Sequence, residues 1–332
     1  MSGKIKTAII GAAGYWAQNI LRNVLRFEDV ELKYCIDNNE KQLEKVKKKV
    51  PYNTQLVTDY QVCLADPELD AVLIVSPVSS HYRIARDCIK AKKNCCVQKP
   101  FVETVIQAIN LTTLARQMEV KLMTSFTYIF NPVITKIKEL KEKEEIGSLY
   151  YYDSTRINLG LIQRDVNVIH DLFCHDAAIL YYLTNELPQY ISASGKSHDG
   201  IGLIDIANVN LNYEKWTSHV HVNWLSPQKN RTIILAGDKK MVVFDDCSNE
   251  KLKIYDTGFK SNGNVFDYRT GDITIPKISN EEAVYLELKH FFDCIKENKT
   301  PITDGEFSIQ VLKMIDMANK SIELKGTPVS TV

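Results

Sequence analysis

The sequence predicts an α/β protein, with a doubly wound parallel sheet first and an α+β domain built on a large open, mainly antiparallel sheet second. Three observations carry that expectation. Strands and helices alternate through roughly residues 1–125. A glycine-bearing turn joins the first strand to the first helix. After a helix near 168–183 the chain delivers several strands in near succession.

The elements follow in order. "IKTAIIGAAGYWAQNILRNVLRF" gives a β-branched apolar run, a turn and a helix-period pattern. "VELKYCIDNN" reads as the second strand and "NEKQLEKVKKKV" as a helix whose lysines face water. "DAVLIVSPVSSHYRIARDCIKAKKN" is strand then helix, "CCVQKPF" a strand, "TVIQAINLTTLARQMEV" a helix, and "KLMTSFTYI" another strand. The pattern then changes. "PVITKIKELKEKEEIG" predicts a charged helix capped at Gly147, and "SLYYYDSTRIN" a strand. Beyond the helix at 168–183, "QYISASGK", "IDIANVNLNY", "WTSHVHVNW", "RTIILAG", "KMVVFDD" and "KLKIYD" read as antiparallel strands. Helices at 280–298 and 305–324 are expected to pack back on the first domain. The boundary falls at 1–125 and 126–332, since 332 residues exceed one ordinary core.

Composition excludes several function classes. Lys+Arg and Asp+Glu are both 41, which speaks against a general polyanion or nucleic-acid binder. The opening "MSGKIKTAIIGAAG" is no signal peptide, because its apolar run is short and enters a glycine turn. No stretch reaches the roughly 18–20 apolar residues a membrane helix needs. The eight cysteines form no C-x-x-C pair and no zinc-finger spacing, and read as reduced thiols of a cytoplasmic protein.

Gly11, Gly14 and Ala17 form G-x-x-G-x-x-A at the first strand-to-helix turn, one residue from the usual dinucleotide fingerprint. Small residues let the backbone approach a pyrophosphate, and the helix N-terminus offers free N–H groups. Asp37 ends the second strand, where a carboxylate takes the ribose hydroxyls. Asn38, Asn39 and Glu40 follow it with no cation for a 2′-phosphate, so NAD is favoured over NADP.

Lys99 sits at a strand's carboxyl end before Pro100. In a doubly wound sheet ligands gather at such ends, and an ammonium there can stabilise an oxygen that gains negative charge. Asp171 and His175 are four apart in a helical pattern and share a face, a histidine being the usual group to take a hydroxyl proton near neutral pH. His170 and Asp176 fall on other parts of that helix. Arg156, Asn158, Arg164 and Asn167 supply forked donors for a sugar or its diphosphate. His219 and His221 alternate along one strand face, read as packed or interfacial, and no metal site is expected.

With those residues in hand, the chain resembles the Gfo/Idh/MocA family of oxidoreductases over essentially its full length, through "GAAGYWAQN", "VSPVSSHY", "QKPF", "DLFCHD" and "PITDGEFSIQVLKMID". The resemblance implies a Rossmann domain binding NAD and a C-terminal sheet that forms a homodimer or homotetramer. It implies Lys99, Asp171 and His175 as the catalytic set, which also contacts substrate. It implies a cofactor set of Gly11, Ala13, Gly14, Tyr15, Trp16, Asp37, Ser76, Pro77, His81, Gln98 and Lys99. "TRINLGLIQRDVNVIHDL" further resembles the nucleotide-sugar 3-dehydrogenase branch, implying oxidation at C3 of a UDP-N-acetylhexosamine or its uronic acid. A free sugar or cyclitol substrate, or a non-catalytic NAD sensor, are the alternatives. Two departures stand out. Gln98 replaces a family glutamate, so Lys99 loses a charged neighbour, and the bulk of Phe173 is expected to narrow the sugar pocket.

Overall fold

The computed structural model describes residues 3–160, 165–198, 200, 202–262 and 265–330. The chain divides into two compact units, Met1–Phe130 with Glu281–Leu312, and Asn131–Asn280 with Lys313–Val332.

In the first unit β1 (Ile5–Ile10), α1 (Ala17–Val24), β2 (Val30–Ile36), α2 (Glu40–Lys47), β3 (Gln55–Val57), α3 (Tyr60–Leu64), β4 (Ala71–Ile74), α4 (Val78–Lys90), β5 (Asn94–Gln98), α5 (Val105–Met118) and β6 (Leu122–Ser125) follow in turn. The six strands are parallel in the order β3-β2-β1-β4-β5-β6. Every residue of β4 is buried, as a strand covered on both faces requires. The order reverses between β1 and β4, which places a ligand crevice at their carboxyl ends. The short β3 and α3 were not anticipated; three and five residues carry too little period to read. A 3-10 turn, Thr127–Phe130, follows β6.

The second unit opens with α6 (Pro132–Glu142), where the Asn131 side chain accepts from the Val133 N–H at 2.9 Å and proline holds the first helical position. The helix stops short of the expected cap at Gly147. Glu144 takes φ +56°, and the Glu145 N–H returns to Leu140 O at 2.9 Å, closing the C-terminus. Gly147 has another task at φ +79°: the Asp238 carboxylate occupies the space a Cβ would take and accepts the Ser148 N–H at 2.8 Å.

Then come β7 (Leu149–Leu159), a π-wound turn Ile169–Phe173, α7 (Cys174–Thr184), β8 (Tyr190–Lys196), β9 (Ile206–Asn212), β10 (Thr217–Asn223), β11 (Leu225–Gly237), β12 (Met241–Asp245), β13 (Leu252–Asn262) and β14 (Val265–Thr274). With β15 (Val329–Ser330) they form a nine-stranded sheet, β14-β13-β12-β11-β7-β10-β9-β8-β15. The sheet is mainly antiparallel, as expected, with one exception at its centre. β7 inserts between β10 and β11, and it pairs parallel with β10 while every other pair is antiparallel. One face is apolar by alternation, through Val220 and Val222, Ile233 and Leu235, and Val242 and Phe244.

The last helices are α8 (Ala283–Lys296) and α9 (Gly305–Glu323). α8 belongs to the first unit and packs on α1's exit, where Phe27 stacks on Tyr285 at 4.7 Å and meets Phe292 edge-on at 5.3 Å. α9 divides between the units at Leu312 and Lys313.

Candidate active site

The turn after β1 has the geometry its glycines allow. Gly11 sits at φ +81°, and a Cβ there would lie 2.8 Å from the backbone of Val75 and Ser76. Only glycine lets the turn lie against the exit of β4. Gly11 and Ala12 both donate their N–H to Ile36 O, at 2.8 and 2.9 Å, and Gly14 N–H returns to Gly11 O. α1 begins beyond Trp16 with no side chain capping its first amides, a donor set suited to an anion. Tyr15 and Trp16 stand exposed beside it.

Asp37 leaves β2 with both carboxylate oxygens anchored. Oδ2 accepts the Ala13 N–H and Oδ1 the Asn39 N–H, each at 3.0 Å. The carboxylate is thereby held against the phosphate-binding turn with lone pairs to spare, as a ribose diol requires. Ser76 is half-buried and Pro77 exposed at the β4 exit.

His81 corrects the expectation. It is 1% exposed, with Nε2 2.7 Å from Ser76 O and Nδ1 3.0 Å from Pro100 O and 3.2 Å from Phe101 O. So little exposed surface leaves no face for a cofactor; the imidazole ties the β4 exit to the β5 exit. Lys99 lies half-buried immediately after β5, and its bond to Pro100 is cis. Gln98 turns its amide toward β6, donating from Nε2 to Ser125 Oγ at 2.7 Å.

In the second unit Asp171 and His175 straddle the junction of the π-wound turn and α7. Both windings close within about four to five residues, so the pair stays within one turn, and such π segments recur at functional sites. Asp171 Oδ2 accepts the Trp224 indole N–H at 2.9 Å. Sequence reasoning missed this contact, because Trp224 follows β10 and lies 53 residues away in the chain. His175 is half-buried.

Two expected substrate ligands are occupied elsewhere. Arg156, 3% exposed, donates from Nε to Asp176 Oδ2 at 2.9 Å, and Asp176, fully buried, also accepts Tyr152 OH at 2.8 Å and Ser154 Oγ at 2.6 Å. The guanidinium is therefore the counter-ion of a core carboxylate instead of a diphosphate clamp. Alternation along β7 put Arg156 on the same face as Tyr152 and Ser154, which was the available signal. Asn167 donates to Asn319 Oδ1 at 2.8 Å and accepts from the His170 N–H and Nδ1 at 3.1 and 3.0 Å. Both ends of its amide hold the π-wound turn in place. The proton on His170 is thus on Nδ1, and burial pushes that imidazole's pKa down. Asn158 is half-buried near the end of β7, and Arg164 lies outside the described residues. Phe173 is fully buried, so its bulk fills core and does not narrow a pocket. His219 and His221 face Asp153 and Asn208, at 3.2 and 2.9 Å. Among the described residues no cluster of metal-ligating side chains occurs, and no helix is long and apolar enough to cross a membrane. A charged cleft of about 400 Å³, lined by Glu145, Asp238, Lys239, Lys240, Asp256 and Arg269, contains none of the expected site residues.

The glycine turn, the uncapped α1 amides and the anchored Asp37 fit NAD, whose nicotinamide, when bound, supplies the hydride chemistry. Comparison with known proteins agrees. Residues 5–126 match an oxidoreductase family with an NAD-binding Rossmann fold, and 134–243 match the C-terminal domain of the same GFO/IDH/MocA group. The chain is 24% identical over 318 residues to myo-inositol 2-dehydrogenase of Thermotoga maritima, spanning 91% of this chain and 92% of that one. It is 22% identical over 253 residues to UDP-N-acetylglucosamine 3-dehydrogenase of Acidithiobacillus ferrooxidans, spanning 74% and 76%. An Agrobacterium radiobacter oxidoreductase solved with NAD+, L-tartaric acid and magnesium shares the fold at a TM-score of 0.82 and 18% identity, over 98% of both chains. From the glycine turn to the mixed sheet, the chain belongs to the GFO/IDH/MocA family of NAD-dependent oxidoreductases.

Proposed function

We propose that the protein oxidises a secondary hydroxyl of a sugar or cyclitol ring to a ketone, with NAD+ as hydride acceptor. The observation that carries this reading is the Asp171–His175 pair at the π–α junction, with the Asp171 carboxylate fixed by the Trp224 indole. His175 takes the hydroxyl proton, Asp171 orients His175 or relays that proton, and Lys99 stabilises the oxygen as it gains negative charge.

The engagement of Arg156 by Asp176 and of Asn167 by Asn319 and His170 favours a ring without a nucleotide, since both leave the set that would grip a diphosphate. Inositols are accordingly the first substrates to try, in line with the resemblance to a myo-inositol 2-dehydrogenase. A nucleotide sugar oxidised at C3 is the second reading, favoured by the resemblance to a UDP-N-acetylglucosamine 3-dehydrogenase. Appearance of NADH absorbance on mixing with NAD+ and myo-inositol, scyllo-inositol, free hexoses, UDP-N-acetylglucosamine or its uronic acid tests both. Turnover confined to the UDP-sugars overturns the first reading, and none with any ring alcohol overturns both. A homodimer or homotetramer formed through the C-terminal sheet is part of this proposal; light scattering of the purified chain measures it.

A further inference from the structure

A buried carboxyl stands behind the strand end that bears Lys99. Glu287 of α8 is fully buried. Its Oε2 accepts Ser125 Oγ at 2.9 Å and Thr127 Oγ1 at 3.1 Å, and among the described residues its Oε1 has no hydrogen-bond partner. Ser125 ends β6 and in turn accepts the Gln98 Nε2–H at 2.7 Å. A serine hydroxyl has one proton, which it gives to Glu287, so the chain runs in one direction: Gln98 amide to Ser125 hydroxyl to Glu287 carboxyl. Gln98 is the residue before Lys99.

No cation meets Glu287 in these contacts. β5 brings Gln98's neutral amide and the Cys96 thiol, itself buried and pushed up by desolvation; β6 brings Ser125; and the 3-10 turn brings Thr127, with Tyr128 beside it. α1 offers Arg22, which pairs with Glu282 at the exposed start of α8, and neighbouring Arg26 pairs with Glu281. On α8 itself Lys289 pairs with Asp293, and His290 lies against Phe130. Burial with only hydroxyl donors pushes Glu287 up to about 8, into the range where it changes charge near physiological pH.

We propose that Glu287 is a positioning residue whose ionisation, transmitted through Ser125 and Gln98, sets the placement and basicity of the Lys99 amine. This deepens the proposed reaction and rests on Lys99 taking part in it. When Glu287 loses its proton the acceptor end of the chain becomes charged and its hydrogen bonds shorten. A negative charge at the end of the chain that begins at Gln98 would favour the ammonium form of Lys99, the next residue along.

The test reads the amine itself, without turnover. The full-length protein is pulse-labelled with trinitrobenzenesulfonate between pH 6.5 and 9.5, and modification of Lys99 is followed by peptide mass spectrometry. In Glu287→Gln, Lys99 should label about threefold faster than in the parent chain at pH 9, since half a pKa unit is a threefold change in free amine. The two rates should converge at pH 6.5, where the parent's Glu287 is protonated. Ser125→Ala leaves the carboxyl but removes a donor that lowers its pKa, so the divergence should begin at higher pH. It also serves if Glu287→Gln fails to fold. Superimposable profiles for the parent and either variant overturn the inference. Lys99→Met assayed with NAD+ and substrate separates the two claims: normal turnover there removes Lys99 from the reaction, whereas the labelling result still decides whether Glu287 controls its amine.

Discussion

The Trp224 indole nitrogen donates to Asp171 Oδ2 across 2.9 Å, joining the residue after β10 to the π-wound turn. That bond fixes one carboxylate oxygen of Asp171 and with it the orientation of the carboxylate. Trp224→Phe keeps the ring in its buried site, 2% exposed, and removes the donor. A hydrogen bond to a charged group contributes about 1.5–3 kcal/mol, so kcat should fall roughly ten- to a hundredfold while NADH affinity is unchanged. Steady-state kinetics beside NADH fluorescence titration checks it, and unchanged kcat would remove Trp224 from the site.

Lys99→Met should lower kcat by about a hundredfold or more, in the range seen when one preorganised donor to a developing oxyanion is lost. NADH binding should remain near that of the parent. Turnover at the parent rate would exclude Lys99 from the mechanism.

Gly11→Ala should weaken NADH binding by more than about tenfold. The left-handed backbone at φ +81° and the 2.8 Å approach of the added Cβ to Val75 and Ser76 both oppose alanine, and backbone strain of this kind costs on the order of 1–3 kcal/mol. Fluorescence titration measures the binding and thermal unfolding the cost to the fold.

Arg156→Met should destabilise the chain by about 3–5 kcal/mol, because it strands the Asp176 carboxylate in the core. If Arg156 instead served a substrate phosphate, the variant would unfold normally and raise only KM for a UDP-sugar. Denaturant unfolding against the parent decides between these outcomes.

Stability should fall as pH rises from about 4.5 to about 8. The folded chain holds the Glu287 proton up to about 8, whereas the carboxyl's ordinary value is 4.5, so the native state binds more protons across that window. The sign is that of a raised group: its contribution is complete below the ordinary value and is lost on passing the folded one. The contribution at stake is on the order of 4–5 kcal/mol. Glu287→Gln should flatten the parent's slope in urea unfolding between pH 5 and 8.5, and an equal slope in both proteins would place the titration elsewhere.

The sequence by itself determined the alternation of strands and helices that becomes the parallel sheet, because each element's burial pattern is written in its own period. It also determined the turn through Gly11 and Gly14, where the absence of a Cβ is a property of the residue and needs no partner. Only the tertiary structure decided how polar side chains are used. Arg156 looked like a ligand until Asp176, 20 residues on, claimed it, and Asp171 gained its orienting donor from Trp224 across 53 residues. The parallel pairing of β7 with β10 was equally hidden, since strand alternation fixes which face is buried but not which neighbour lies alongside. Glu287 shows the same limit most clearly. In the sequence it is one more glutamate on a helix, and its buried place behind Ser125 and Gln98 exists only once α8 has packed against the first unit's sheet. Local period is encoded residue by residue, whereas the charge and hydrogen-bond state of a side chain depends on whatever distant group the fold brings within about 3 Å of it.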